Sequence, residues 1–271
     1  MIVAGLLAAI CATAQAEVVQ EFNYQLKDVK PYGGFTVVFG LRSYDTTGAP
    51  PPPLTTAVLR LPAGAKIRRE FLNNKRFMCD VRKLNETKDP KTCRNAEIGR
   101  GRVLVDARPV VSETIPAKIY LFLAPGAVRG AVASIAILGI PDDSAPIVRD
   151  NLFIRETKVV VQANFFDDPS PDGLFGYKLV LPTGPIRGVN ISIAEVNVTV
   201  SGLTLTKRQR KCAKRSHGRC AKRKLVTKKL FWVAVPKCPR SGKFTFQAVF
   251  GYAALPTTAR TIELSCPRFK G

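Results

Sequence analysis

The most concentrated group of charged side chains lies in the stretch KRQRKCAKRSHGRCAKRKLVTKK, residues 207 to 229. It contains twelve lysine and arginine residues and no acidic one, so it carries +12 of the chain's net charge of +22. Cations at this density attract phosphate, sulfate and carboxylate polymers alike, because the attraction depends on charge and not on shape. We therefore predict a polyanion-binding surface whose members are Lys207, Arg208, Arg210, Lys211, Lys214, Arg215, Arg219, Lys222, Arg223, Lys224, Lys228 and Lys229.

Two cysteines in this stretch, Cys212 and Cys220, enclose a segment that includes Gly218, a typical turn residue. A disulfide between them would tie a hairpin, which then loses less conformational entropy when it binds a polymer. The alternative is a solvated, repulsive loop that only aids solubility, which is the usual role of a charge run. Specific nucleic-acid recognition is a weaker interpretation, because single-strand sites add aromatic stacking platforms and this stretch has no aromatic residue.

Acidic residues cluster in two turns. The stretch FFDDPSPDG brings together Asp167, Asp168 and Asp172, and Asp142 and Asp143 lie in another turn. Oxygen-rich loops of this kind can hold Ca²⁺, but the spacing lacks the EF-hand pattern and its terminal glutamate. Asp and Pro are also ordinary turn formers, and this interpretation is favoured. We therefore expect no bound metal and no other cofactor.

Few residues are candidates for catalysis. His217 is the only histidine, so a Ser-His-Asp or Cys-His mechanism would have to operate inside the basic stretch. A polysaccharide hydrolase needs two facing carboxylates. Glu195 in ISIAEVNVTV is a candidate on the strand face of Ile193, but Asn197 and Thr199 follow on that face and indicate solvent. Trp232, the single tryptophan, is flanked by apolar residues and is expected in the core rather than in a carbohydrate site.

The N-terminus resembles an export signal. An apolar run precedes Ala14-Gln15-Ala16, the small-x-small pattern of a signal-peptidase site, so we expect residues 1 to 16 to be removed and the mature chain to begin at Glu17. No Lys or Arg precedes the run, which departs from the usual pattern and would be explained by a start further upstream. No other stretch of about 18 apolar residues exists, so we expect no transmembrane segment in the mature chain.

Removal of the signal leaves six cysteines, an even number that suggests disulfides in an exported chain. The sequence alone cannot select among the many pairings that six cysteines allow. Their order and their placement near turns favour neighbours, namely Cys79 with Cys93, Cys212 with Cys220, and Cys238 with Cys266. Zinc binding is a weaker interpretation, because the chain has no C-x-x-C pair.

Alternation with a period of two dominates the remaining sequence. In KFTFQAVFGY the side chains of Phe244, Phe246 and Phe250 fall on one face, and polar residues fall on the other. Roughly a dozen such runs, separated by Gly- and Pro-rich turns, predict an all-β chain with little helix. We expect one antiparallel β-sandwich or jelly-roll-like domain, residues 17 to 271, with the basic hairpin as an insertion at 207 to 229.

Two stretches resemble a set of exported proteins of actinobacteria. In TCRNAEIGRGRVLVDARPVVSETIPAKIYLF the shared features are a Cys followed by an Ile-Gly-x-Gly strand at 98 to 101, and a Pro-Ala-Lys strand at 116 to 118. In VAVPKCPRSGKFTFQAVFGYA the shared feature is the hairpin at 236 to 246, closed by a last Cys. The resemblance covers residues 60 to 267. It implies a β-rich fold and a Cys238–Cys266 disulfide, and it carries over no functional residue.

Together these patterns predict a non-enzymatic protein, secreted or associated with the cell envelope. It would bind anionic envelope polymers or membrane surfaces through the basic hairpin by diffuse charge attraction. One alternative is a hydrolase of wall polysaccharide that uses Asp and Glu carboxylates. Another is a module that binds a protein partner along an exposed sheet edge. A basic convex surface, facing carboxylates in a cleft, or an uncovered edge strand would distinguish the three.

Overall fold

A computed structural model describes residues 18–27, 36–108, 111, 113–183, 192–216, 219–234, 238–239, 241–253 and 256–266. The predicted signal peptide, residues 1 to 16, and His217 lie outside the described residues. The strands are Val18–Lys27 (β1), Thr36–Asp45 (β2), Leu54–Pro62 (β3), Lys66–Ile67 (β4), Glu97–Asp106 (β5), Thr114–Ala124 (β6), Ala133–Pro141 (β7), Val159–Asp167 (β8), Phe175–Val180 (β9), Ser192–Val200 (β10), Thr204–Ser216 (β11), Arg219–Phe231 (β12), Val233–Ala234 (β13), Lys243–Tyr252 (β14) and Thr258–Ser265 (β15). The α-helices are Arg69–Leu72 (α1), Val81–Thr87 (α2), Pro146–Arg149 (α3) and Leu152–Glu156 (α4), and 3₁₀ segments cover Lys75–Phe77 and Pro90–Ala96.

Eleven of these strands form one antiparallel sheet, which confirms the predicted all-β class. The strand order is β1-β2-β10-β5-β6-β7-β8-β9-β3-β14-β15. Rather than dividing into two stacked layers, the sheet curls until its first and last strands nearly meet. Apolar side chains from ten of the eleven strands, all except β15, therefore surround a single interior.

The two edge strands of the sheet, β1 and β15, meet through side chains. Every neighbouring pair in the sheet is antiparallel, so the first and last of eleven strands run in the same direction. A ladder between β1 and β15 would have to be parallel, which is the slightly less stable pattern. In the described residues the edges meet where Thr258 Oγ1 donates to Gln20 Oε1 at 2.9 Å. Nearby, the buried Tyr252 hydroxyl donates to Ser43 Oγ at 3.0 Å and ties β14 to β2 across the interior.

One end of the barrel is sealed by apolar side chains, and we call it the closed end. It lies where β6 ends and β7 begins. Leu230 and Trp232 are buried there with Phe71 of α1, and the Trp232 ring meets Phe165 edge-on at a centroid distance of 6.2 Å. The Arg68 backbone N–H donates to the Trp232 carbonyl at 2.8 Å, which fixes the start of α1 against this end. The core prediction for Trp232 is confirmed.

The helical segment between β4 and β5 covers the outer face of β6 and β7. Its buried residues, which include Leu84, pack against Phe122 and Leu138 on the outward side of the sheet. The N-cap of α2 is Asp80, whose Oδ1 accepts a hydrogen bond from the Lys83 N–H at 3.1 Å. This cover explains why β6 and β7 are apolar on both faces.

All three predicted disulfides are present. Cys79–Cys93 joins the residues before α2 to the 3₁₀ segment that follows it, with the Cα atoms 5.0 Å apart. Cys212–Cys220 lies near the tip of the β11–β12 hairpin, and its Cα separation is 5.5 Å. Cys238–Cys266 ties the residues that flank β14 and β15, 5.9 Å apart. Each bridge closes a short local loop, as the pairing of neighbours requires.

Two glycines of β5 allow the barrel to close tightly against β10. A Cβ at Gly99 would lie 2.5 Å from the Thr199 carbonyl oxygen, and one at Gly101 would overlap the Asn197 carbonyl oxygen and lie 2.9 Å from the Val198 Cα. Backbone atoms cannot rotate away, so no side chain fits at either position. The Ile-Gly-x-Gly pattern thus has a steric cause.

We expect Gly101→Ala to lower the free energy of unfolding by about 2 kcal/mol or more, because β5 and β10 would have to separate. Gly139→Ala is the matched control: it also lies on an inward strand position, but its Cβ would meet only the Val159 carbonyl oxygen, at 4.0 Å. Urea unfolding followed by circular dichroism measures both. Equal stability of the two variants would contradict the steric explanation.

Candidate functional site

The basic stretch forms an extended β-hairpin rather than an irregular loop. β11 and β12 pair from Thr204 opposite Phe231 to Ser216 opposite Arg219. At the base, Leu205 and Leu230 pack into the core of the closed end. Thirteen-residue strands span roughly 40 Å, so the hairpin projects well beyond the barrel, away from its other end.

Beyond its base, most of the described side chains of the hairpin are exposed, and Val226 is half-buried. Arg208 and Arg210 are exposed, as are Cys212 and Cys220. The side chains of the other ten predicted site residues lie outside the described part of the structure. Their strand register places lysines directly opposite each other at 207 and 228, 211 and 224, and 214 and 222. Binding of a polyanion by this hairpin stays a prediction.

Two aspartates of the FFDDPSPDG turn, Asp168 and Asp172, accept hydrogen bonds from neighbouring groups of the protein. Asp168 accepts from Arg60 Nε at 3.0 Å and from Lys178 Nζ at 3.3 Å. Asp172 accepts from Ser170 Oγ and from the Leu174 N–H, and these two bonds lower its pKa. The described residues contain no group of three or more metal-binding side chains placed to share an ion.

Asp142 and Glu195 line one shallow groove on the outer face of the barrel. A β-bulge between Ile193 and Glu195 puts Glu195 on the outward face, so its expected alignment with Ile193 is wrong. Asp142 accepts from Lys118 Nζ at 2.9 Å and from Ser144, and these bonds lower its pKa. A glycosidase acid needs a raised pKa, so Asp142 is unsuited to that role.

The barrel interior contains a large cavity that the sequence patterns did not reveal. Its volume is about 530 Å³, and hydrocarbon side chains from ten strands of the barrel form its wall. The middle of this wall includes Val103, Ile119, Ile137 and Val161. At the closed end, the floor is formed by Trp232 and Val233. The cavity lies within the range typical of small-ligand sites.

Barrel width and small side chains create this space. Eight strands enclose an interior that side chains just fill, and the diameter grows with strand number. Eleven strands therefore leave a gap. The gap widens at Ala117, Gly139 and Ala163, which occupy inward positions on three neighbouring strands and line the cavity.

Polar side chains of the wall, namely those of Arg60, Gln247, Thr157 and Thr183, have hydrogen-bond partners within the protein. Arg60 NH1 donates to Gln247 Oε1 at 2.9 Å on the outward face, where Arg60 also binds Asp168. Thr157 Oγ1 donates to the Phe153 carbonyl at 2.7 Å, and Thr183 Oγ1 donates to the Thr55 carbonyl at 2.9 Å. Within the described wall, then, the surface presented to a ligand is hydrocarbon.

The cavity reaches the surface opposite the closed end, and we call this opening the mouth. Phe153 of α4 lines the cavity and is 65% exposed, and Pro182 and Thr183 are also exposed lining residues. The mouth lies where β5 ends, β6 begins and β7 leads into α3. The mouth and the basic hairpin are thus at opposite ends of the barrel.

An ion pair fixes one side of the mouth. Asp106 is buried, and its carboxylate accepts from Arg108 Nε at 3.0 and 3.1 Å. Arg108 NH1 donates to the Gly48 carbonyl at 3.1 Å, which joins the β2–β3 turn to the end of β5. The hydrogen bonds from Arg108 lower the pKa of Asp106. Ala107, between the two charged residues, lines the cavity.

The fold and cavity define a class of protein: an all-β barrel with an internal apolar site. No protein-family model matches the chain, and comparison with curated proteins and with solved structures finds no match. Within the described ranges, none of the helices combines the length and the apolar character needed to cross a membrane.

Substitution of Asp106 tests the ion pair at the mouth. The folded pKa of Asp106 is lowered, so its stabilising contribution is present above the unfolded pKa of about 4 and is lost as pH falls through the folded pKa. We expect Asp106→Asn to lower the free energy of unfolding by about 2 kcal/mol at neutral pH, with the difference from wild type shrinking in acid. Urea unfolding at several pH values measures this.

Asp143→Asn is the control, because Asp143 is exposed. It should change stability little at any pH. A pH-independent loss in Asp106→Asn would show that packing, and not charge, holds this side of the mouth.

Proposed function

We propose that this protein binds an apolar ligand, of the class of long acyl chains, inside the barrel. The observation that carries the proposal is the hydrocarbon-walled cavity of about 530 Å³ that opens at Phe153. An apolar cavity of about 150 Å³ is enough to take up benzene. This one has room for a much larger hydrocarbon, and its open end lets a polar head group remain in water.

The energetics favour a filled cavity. Apolar cavities created by truncation cost about 24 cal/mol per Å³ of space left empty, so any part of this cavity that stays empty destabilises the fold. Water is a poor substitute, because within the described wall the polar side chains already have partners. An acyl chain would replace the void with van der Waals contacts and remove apolar surface from water.

A fluorescent fatty acid, dansyl-undecanoic acid, tests this proposal directly. We expect its emission to rise and shift to shorter wavelength on addition of the protein, and the ligand to raise the melting temperature. Val161→Phe places a larger side chain in the cavity and should weaken binding by roughly tenfold or more, because overpacking is costly.

Val58→Phe is the matched control. It makes the same change on the outward face of β3, whose neighbours in register are Val180 and Val249, and Val58 does not line the cavity. Its affinity for the probe should equal that of wild type. If Val161→Phe, shown to be folded by circular dichroism, also bound the probe as wild type does, the barrel would not be the binding site.

The second proposed function is association with anionic envelope polymers or membrane surfaces through the hairpin at 207 to 229. Its support is the density of cations along two strands without acidic neighbours, and the exposure of Arg208 and Arg210. Three disulfides are compatible with an extracellular location, since such bonds persist in oxidising compartments. Secretion and retention at the envelope form part of this proposal.

Charge-matched variants separate a hairpin site from the effect of net charge. One variant neutralises Arg208, Arg210, Lys211, Lys222, Arg223 and Lys224 of the hairpin. The other neutralises six exposed cations of the helical segment, Lys75, Arg76, Arg82, Lys83, Lys91 and Arg94. We expect the hairpin variant to lose co-sedimentation with phosphatidylglycerol vesicles and with purified wall polymers at low salt, while the second variant retains it. Wild-type binding should weaken steeply as salt rises; equal loss in both variants would assign the binding to net charge.

A further inference from the structure

The mouth of the cavity carries an exposed apolar patch formed by two consecutive residues, Leu152 and Phe153. We call it the rim patch. Leu152 is 56% exposed and Phe153 is 65% exposed, among the largest values for apolar side chains in the described structure. Phe153 also lines the cavity. The side chain of Phe153 therefore connects the exposed apolar surface of the rim patch with the lining of the cavity.

Local structure holds these two side chains outward. Asn151 is the N-cap of α4, and its Oδ1 accepts from the Ile154 N–H at 3.2 Å. Ile154 is buried, as is Val148 of the preceding α3, so both short helices are anchored to the barrel. With Ile154 directed inward, the single turn of α4 leaves Leu152 and Phe153 on its outer side. Their exposure is set by the packing of this segment.

The charge around the rim patch is nearly balanced, in contrast to the rest of the molecule. From residue 146 to 158 the segment contains three basic residues (Arg149, Arg155 and Lys158) and two acidic ones (Asp150 and Glu156), for a net charge of +1 in a chain of +22. Arg149 and Asp150 pair at 2.9 Å. A surface of this kind matches the interface of an uncharged lipid bilayer better than it matches a polyanion.

We propose that the rim patch docks the mouth onto a lipid bilayer, from which the apolar ligand enters the barrel. This rests on the proposed binding of an acyl ligand, and it identifies the source of that ligand. Leu and Phe are side chains that insert at the boundary between head groups and acyl chains. Docking places the mouth against the hydrocarbon phase, so the ligand passes into the cavity without exposing its chain to water, which is the unfavourable state for apolar surface.

Flotation with phosphatidylcholine vesicles at high salt tests the docking. These vesicles have no net charge, and high salt screens attraction by the hairpin. We expect wild type to float with the vesicles. Leu152→Ser should lower the bound fraction by roughly fivefold or more, and Leu152→Ser with Phe153→Ser should lower it further, because both remove inserted hydrocarbon.

Leu225→Ser is the matched control, because Leu225 lies on the hairpin and is 60% exposed, close to the value for Leu152. Its vesicle binding should equal that of wild type. If Leu152→Ser and Leu225→Ser lost binding equally, or if wild type did not float, docking by the rim patch would be overturned. Self-association of wild type that disappears in Leu152→Ser without vesicle binding would assign the patch to a second copy of the chain and overturn the lipid proposal too.

Binding of dansyl-undecanoic acid from solution keeps the two proposals distinguishable. Leu152 does not line the cavity, so Leu152→Ser should bind the free probe as wild type does while it takes up the probe from vesicles more slowly. If wild type binds the free probe but does not bind vesicles, only the docking proposal fails. If wild type does not bind the free probe, the acyl-ligand proposal itself fails, and docking as a route for that ligand fails with it.

Discussion

The width of the eleven-stranded barrel is the constraint on which the other features depend. A sheet of this size encloses more space than its inward side chains fill. The wall is hydrocarbon because the inward positions of ten strands carry mostly apolar side chains. The odd strand number also leaves β1 and β15 running in the same direction, so side chains such as Gln20 and Thr258 close the seam. The interior cavity and the side-chain contact between β1 and β15 are thus both features of a sheet with eleven strands.

The two ends of the barrel differ in structure: one is filled by apolar side chains, and the other opens to the surface. At the closed end, Leu230 and Trp232 fill the opening and belong at the same time to the base of the basic hairpin and its continuation. The base of the hairpin is therefore part of the packed core of the barrel. At the mouth, Asp106 and Ile154 are buried, and each fixes the position of one side of the wall. Apolar packing seals one end of the barrel, whereas the other end combines an ion pair with an opening to the interior.

Alternating sequence patterns predicted the strands and their apolar faces, and the order of the cysteines and their placement near turns favoured the three disulfides that are present. Both kinds of prediction depend on local spacing. They could not predict the cavity, because alternation shows that a face is apolar but not whether the opposing face fills it. The Gly99 and Gly101 pattern was visible, yet its steric cause requires the register with β10. The bulge before Glu195 turned that residue outward, which no count of alternate positions could reveal. For Phe153, the sequence shows three consecutive apolar residues, Leu152 to Ile154, and this run does not reveal which of them is buried and which is exposed.

The separation of the two ends also limits how the proposed sites can work together. Ten-residue strands separate mouth and hairpin base by roughly 30 Å, several times the Debye length of about 8 to 10 Å in physiological salt. The field of the hairpin is therefore screened at the mouth, where the local charge is nearly balanced. A hairpin whose tip contacts an anionic surface leaves the mouth at the far end of the barrel, away from that surface. A single flat surface cannot engage both ends at once, so loading of the cavity from a bilayer requires either a second surface or release of the hairpin from the first.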